Sequence, residues 1–298
     1  MTDPLRSTFG LRFHPFRPDV PVTALTISAQ VEAFLFRLEQ QVRDGGFACI
    51  TGQPGTGKSA VMRLLAERID GIKDATVGVL TRPHSNNADF YRELGHLFGV
   101  TLSPHNRWAG SKVLRETWLA HIDQTRTRPV LLIDEAQEMK GSALAELRLL
   151  SSMNLDARAL LTVVLAGDDR LTAKFRTPDV LPIESRIRSR LHLDYASAEQ
   201  IQASLARLLE HAGRPDLMSD GVLVALAQHA QGNMRAAMTM ADNLLAHALQ
   251  HNLPGIDEQV FFEVFRVPDD RSAKLPEAIN AAGMTAMGEP RSAGFSRR

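Results

Sequence analysis

The stretch GQPGTGKS, Gly52–Ser59, sets glycines at 52, 55 and 57 ahead of a lysine and a hydroxyl residue. Glycine tolerates backbone dihedrals that other residues avoid, so such a loop can turn its N–H groups toward an anion. The apolar run FACIT (47–51) precedes it and AVMRLLAERI follows with helical spacing. The loop thus joins a strand to a helix N-terminus, where phosphate binds well. Gly52, Gln53, Pro54, Gly55, Thr56, Gly57, Lys58, Ser59 and Ala60 are the candidate ATP-binding residues. Lys58 would reach the outer phosphates, and the Ser59 hydroxyl would serve Mg2+.

A second cluster supports the same chemistry. PVLLIDEA (129–136) carries Asp134 and Glu135 where an apolar strand ends, the edge at which open parallel sheets bind ligands. Asp134 would hold the magnesium with Ser59, and Glu135 would polarise an attacking water, which points to hydrolysis rather than binding alone. After the apolar run ALLTVVLAG (159–167) comes Asp168. It would either orient water near the terminal phosphate or cap the next helix. SRIRSRLHL (185–193) carries Arg186, Arg188 and Arg190 at alternate positions, on one face if extended. Arg186 and Arg190 are candidates for stabilising transition-state charge on a neighbouring subunit's phosphates, while Arg188 reads as a surface arginine. In GNMR (232–235), Arg235 opens a helix and could fold over the nucleotide.

These residues need a scaffold. ATVGVL (75–80) reads as another strand, and RLHLDY (190–195) as a short fifth one. Helical patterns lie between them, starting with SAQVEAFLFRLEQQV, which Ser28 would cap and whose Val31, Phe34, Leu35 and Leu38 share a face. Strands alternating with helices imply a parallel sheet covered on both faces. After Ala196 the chain reads as helices alone. The expected organisation is an irregular arm over 1–27 anchored by Phe9, Phe13 and Phe16, an α/β core over 28–195, an all-helical lid over 196–267, and a mobile tail over 268–298.

The totals exclude several classes. Of 298 residues, 44% are hydrophobic and 23% charged, ordinary for a globular chain with a sizeable core. The formal net charge is zero, so no overall basic field marks a nucleic-acid binder. The single cysteine, Cys49, permits no intrachain disulfide and reads as a small buried residue. No apolar run is long enough to span a bilayer, and the N-terminus does not resemble a secretory signal. The expected location is the cytoplasm.

Together these segments resemble an AAA+ ATPase, a P-loop core with a five-stranded parallel sheet followed by a small helical lid, from about residue 9 to 266. More narrowly they resemble the ExeA/TnsC/MuB/IstB group. FGLRFHPF is similar to its N-terminal arm, IDEAQ with ELRLLSSMN to its Walker B strand and following helix, and LAGDDRL to its sensor 1 segment. SRIRSRLHL is similar to its arginine-finger region, and GNMRAAMTMADNLLAHAL to its sensor 2 helix. Asp168 stands where ExeA-like proteins often carry Gln, which departs from the sensor 1 pattern. Position just before the fifth strand favours Arg190 over Arg186 as the finger.

The resemblance implies ATP-driven assembly into rings or helical filaments. It also implies double-stranded DNA and a transposase as partners for the transposition members. Basic residues on loops are then the candidate DNA contacts: Arg82, His84 and Asn86 in TRPHSNN (81–87), Arg107 and Lys112 in HNRWAGSK (105–112), and Lys140 after Asp134–Glu135. ExeA-type members instead serve secretion and carry a membrane span and a wall-binding domain beyond the ATPase. The chain shows neither, so the expectation is a transposition helper, with a secretion-type ATPase acting on a protein as the alternative. A small-molecule kinase would leave the lid and the arginine region unexplained, and no acceptor site is visible for one.

Overall fold

The computed structural model describes residues 4–81, 83, 86–99, 107–126, 128–153 and 158–265. The segment before the core is more ordered than an irregular arm. It holds a helix α1 (Pro4–Phe9) and a 3-10 turn (Val22–Ala24), with Phe9 and Phe16 buried and Phe13 half-buried. Polar contacts pin it on both sides. The Arg12 N–H donates to Ala212 O at 2.9 Å, and Arg214 Nη1 donates to Phe9 O at 2.9 Å. His14 Nε2 lies 3.1 Å from Asp242 Oδ1. Arg63 Nη1 donates to Pro18 O at 2.5 Å.

Helix α2 (Ala29–Asp44) begins as expected, with Ser28 Oγ accepting from the Val31 N–H at 3.3 Å. Val31, Phe34, Leu35 and Leu38 are all buried. There follow β1 (Gly46–Gly52), α3 (Lys58–Asp70), β2 (Ala75–Leu80), α4 (Asn87–Leu97), α5 (Arg107–Thr125), β3 (Arg128–Ile133) and α6 (Gly141–Ser151). A short antiparallel pair, β4 (Ser152–Met153) and β5 (Arg158–Ala159), is an addition that no alternation in the sequence announces. The core closes with β6 (Thr162–Gly167), α7 (Asp169–Phe175), α8 (Leu181–Glu184) and β7 (Ile187–Leu193).

The main sheet has five strands in the order β2-β3-β6-β1-β7, all parallel. Along β1 successive side chains go to opposite faces. Phe47 and Cys49 join Leu131, Ile133, Val163 and Leu165 under α4 to α8. Ala48 and Ile50 join Leu132, Val164 and Ala166 against α2 and α3. Each fully buried Val, Leu, Ile or Phe side chain among these contributes about 1.5–3 kcal/mol.

The fifth strand starts earlier than expected, at Ile187 rather than 190. Ile187, Ser189 and Leu191 alternate inward, which sets a seven-residue edge strand against β1. Arg190 therefore lies inside the strand, and Arg186 is the residue just before it. The last four described helices, α9 (Ala198–Ala212), α10 (Asp220–His229), α11 (Met234–Gln250) and α12 (Glu258–Phe265), form the helical part. Ser197 and Gln200 make a reciprocal cap on α9, and Ile201, Leu205, Leu209, Leu226, Leu244 and Leu245 are buried between the helices. The tail over 268–298 lies outside the described residues.

Cys49 sits in β1 at 2% exposure, and burial pushes its thiol up to about 12 against the opposing pull of the Arg190 charge. Because the thiolate is the reactive form, the folded chain is expected to resist alkylation by iodoacetamide and to take up one equivalent only in denaturant. Labelling read by mass spectrometry, with and without urea, checks this.

Candidate functional site

The carboxyl ends of β1, β3 and β6 lie at one edge of the sheet, and the candidate residues gather there. Gly57 caps α3 at φ +99° with no side-chain cap, so the first N–H groups of that helix are left for a ligand. The Lys58 side chain is buried, and its Nζ donates to Gly52 O at 2.8 Å and Gln53 O at 3.1 Å. An ammonium carries three N–H donors, so one more is available to an anion in the loop. Thr56 Oγ1 closes the loop by donating to Gln53 O at 2.9 Å. Gln53 Nε2 donates to Asp169 Oδ2. Pro54 is exposed, and Ala60 continues into α3.

Ser59 Oγ donates to Asp134 Oδ2 at 2.6 Å, and Asp134 Oδ1 accepts from the Glu135 N–H at 2.9 Å. These hard oxygen donors suit Mg2+, which keeps several waters and phosphate oxygens and takes few protein ligands. Among the described residues no group of three or more His, Cys, Asp or Glu side chains forms a metal cluster. Glu135 follows with its backbone at φ +51° and its side chain exposed. A non-glycine residue in this left-handed region is strained.

Asp168 makes the helix cap that one of its two readings expects. Its side chain accepts from the Arg170 N–H at 2.9 Å, and its carboxylate also takes the Arg170 guanidinium. Burial raises its pKa, but the hydrogen bonds and charge of Arg170, with Lys58 nearby, outweigh this and hold the carboxyl below its usual range.

Two residues of the site were not singled out from the sequence. Asn233 caps α11 by accepting from the Ala236 N–H at 3.1 Å, and its Nδ2 donates to Pro54 O at 3.3 Å. The helical part thereby rests on the phosphate loop. Arg235, two residues on, is exposed. Gln137, in the IDEAQ stretch, is buried and donates to Glu135 Oε2. A cap-type residue just before a helical pattern was the available signal for Asn233. Nothing in local spacing marks Gln137.

The arginines separate. Arg186 Nη1 donates to Pro182 O at 2.5 Å and is partly buried. Arg190 is half exposed and lies near Glu184, its Nη2 donating to Glu184 O at 3.2 Å. With the strand starting at Ile187, Arg186 rather than Arg190 is the residue just before it.

Of the six candidate DNA contacts, three are described with their side chains. Arg82 and His84 lie outside the described residues, as does the Arg107 side chain. Asn86 spends its amide on the cap of α4, accepting from the Asp89 N–H at 3.0 Å and donating to Asp89 Oδ2 at 2.9 Å. Residues 107–112 are the first turns of α5 rather than a loop, because the helix-forming run extends N-terminally past Lys112. Lys112 sits 3.8 Å from Glu116 on that helix. Lys140 is exposed before α6, and Ser142 Oγ donating to Asn87 Oδ1 at 2.9 Å brings that turn beside the start of α4.

Residues 41–175 match the family model described as AAA domain. General secretion pathway protein A of Aeromonas hydrophila is 31% identical over 210 residues, 69% of this chain. The chain spans 37% of that protein's length. Among solved structures, the Aeropyrum pernix ORC2 protein in ADPNP–ADP complexes superposes with a TM-score of 0.67 at 13% identity, over 84% of this chain and 70% of that one. The Aeropyrum pernix ORC1 protein in complex with DNA does so with a TM-score of 0.63 at 18% identity, over 84% and 67%. The fold is an α/β P-loop AAA+ fold with helices in its C-terminal part. Among the described residues no helix is long and apolar enough to cross a membrane.

Two variants probe this geometry. At Gly55, φ +87°, an added Cβ would lie 2.0 Å from Asn233 Oδ1. Gly55→Ala is expected to cost on the order of 1–3 kcal/mol in urea melts, with partial recovery when Asn233→Ala is added, since the pair touches. Asp168→Asn keeps a good cap but drops the charge. At neutral pH it is expected to be less stable than the native chain by under about 1 kcal/mol. A depressed carboxyl stabilises above its ordinary value of 3.8 and stops doing so as pH falls through its folded value. The gap should therefore close in acid, and melts of both chains across that range would detect its persistence.

Proposed function

We propose that this chain is a Mg2+-dependent ATP hydrolase whose nucleotide cycle drives self-assembly, as a ring or helical filament, on duplex DNA in the service of a transposase. The observation that carries the hydrolase reading is the Ser59–Asp134 hydrogen bond at 2.6 Å with Glu135 beside it. Hydroxyl and carboxylate meet beside a loop whose lysine is already seated, and a second acidic residue follows directly in the chain. In this reading Lys58 and the α3 N-terminus bind the phosphates. Ser59 and Asp134 hold the magnesium ion, which when bound supplies charge neutralisation at the phosphate oxygens. Glu135 takes up the proton of the attacking water.

An arginine from a neighbouring subunit, Arg186 or Arg190, would complete the site, so assembly and turnover are linked. Arg235 follows Asn233, whose contact with Pro54 couples the helical part to the loop. DNA as the ligand rests on the family resemblance, on exposed Lys140 at the sheet's carboxyl edge, and on the DNA-bound Aeropyrum ORC1 protein of like fold. A second reading, a secretion-pathway ATPase acting on a protein, is favoured by the 31% identity to General secretion pathway protein A.

The test is ATP hydrolysis and sedimentation with and without duplex DNA. Lys58→Ala is expected to weaken nucleotide binding and abolish turnover. Glu135→Gln is expected to keep binding while lowering kcat by about a hundredfold or more. Stimulation by DNA and ATP-dependent assemblies on it, falling steeply with salt, support the first reading. Turnover and assembly that ignore DNA move the chain to the second.

A further inference from the structure

Gln137 lies between Glu135 and the end of β6, and both ends of its side-chain amide are spoken for. Its Nε2 donates to Glu135 Oε2, and its Oε1 accepts from the Asp168 N–H at 3.3 Å. One orientation of the amide satisfies both, because the reverse would set oxygen against carboxylate and N–H against N–H. The residue is 5% exposed, and a buried polar group left without a partner is costly.

The surroundings are shaped to it. Gly167, the last residue of β6, lacks the Cβ that would lie 2.5 Å from Gln137 Oε1. The short turn Ala136–Glu138 that carries Gln137 is fastened from α7. There Lys174 Nζ donates to Gln137 O, and to Met139 O at 2.5 Å. Glu135 itself is exposed and long, with its backbone in the left-handed region. An exposed glutamate loses much rotamer freedom when it is aimed.

We propose that Gln137 is a positioning residue that holds the Glu135 carboxylate in its working orientation, tying it to the β6–α7 junction. The inference rests on the reading of Glu135 as the group that polarises water. It assigns to the IDEAQ glutamine a role through Glu135 rather than contact with the reacting atoms. A purely structural role would instead be satisfied by the Asp168 N–H alone.

Gln137→Glu separates the two. It is isosteric and retains an acceptor for Asp168 N–H, but it replaces the donor facing Glu135 with a carboxylate oxygen. The full chain carrying Gln137→Glu, Gln137→Ala, Glu135→Gln, or Glu135→Gln with Gln137→Ala is assayed for ATP turnover. A fluorescent ATP analogue reports affinity, and thermal melts report folding.

Gln137→Glu and Gln137→Ala are expected to lower kcat by about tenfold to a hundredfold, with analogue affinity within about twofold of the native chain. In the Glu135→Gln background Gln137→Ala is expected to cause no further loss, since both act at one point. Native kcat in folded Gln137→Glu, a rise in kcat, or an additive loss in the double variant overturns the inference while leaving Glu135 in place. Native turnover in Glu135→Gln removes the reading of Glu135, and the inference falls with it. Should Gln137→Ala fail to fold, Gln137→Glu alone decides.

Discussion

The site depends on the order of strands in the main sheet. Because β6 lies between β1 and β3, the phosphate loop leaving β1 and the acidic pair leaving β3 emerge at the same edge, one strand apart. Helix α3 then carries Ser59 back across that gap to reach Asp134 at 2.6 Å. With neighbouring strands spaced about 4.8 Å apart, that leaves roughly 10 Å between the two strand ends for the loop and helix to bridge. The buried residues on both faces of β1, β3 and β6 hold this order.

Around that bond the polar groups form a continuous set. Lys58 is drawn onto the loop carbonyls, Asp134 accepts the Glu135 N–H, and Gln137 links Glu135 to the β6–α7 junction. On the lysine side, burial and the Arg170 charge lower the pKa of Lys174 against the pull of Glu138, yet its ammonium is spent on two backbone carbonyls of the Glu135 turn. From the other side Asn233 places the start of α11 on Pro54. The segment before the core ties the same helix to α3, through His14 and Asp242 at one end and Arg63 at the other. The helical part and the P-loop core are therefore joined at the loop itself as well as through the N-terminal segment.

Much of this was legible in the residues. The helical period located α2, and apolar runs located β1, β2, β3 and β6 within a few positions, because a helix buried on one face leaves a 3.6-residue trace and a strand buried on both leaves a continuous one. Gly52–Ser59, Asp134 and Glu135 stood out as candidates because a phosphate loop followed by an acidic strand end asks for those residue types in that order. The start of β7 was misplaced because the strand is an edge strand, three of whose seven residues are polar and exposed. The first turns of α5 looked like a loop because HNRWAGSK offers no apolar stripe.

By itself the sequence determined the local devices: the flexible loop, the lysine, the acidic pair, the cap at Ser28, and the alternation of strands with helices that makes a two-faced sheet. Only the tertiary structure decided which of them meet. Gln137 beside Glu135, Gly167 making room for it, Asn233 on Pro54 and Asp168 turned to Arg170 are contacts between chain segments far apart or around a turn. The physical reason is that short-range pattern records how each element buries its own face. The pairing of polar side chains across elements is set by strand order and helix placement, which no single window of sequence contains.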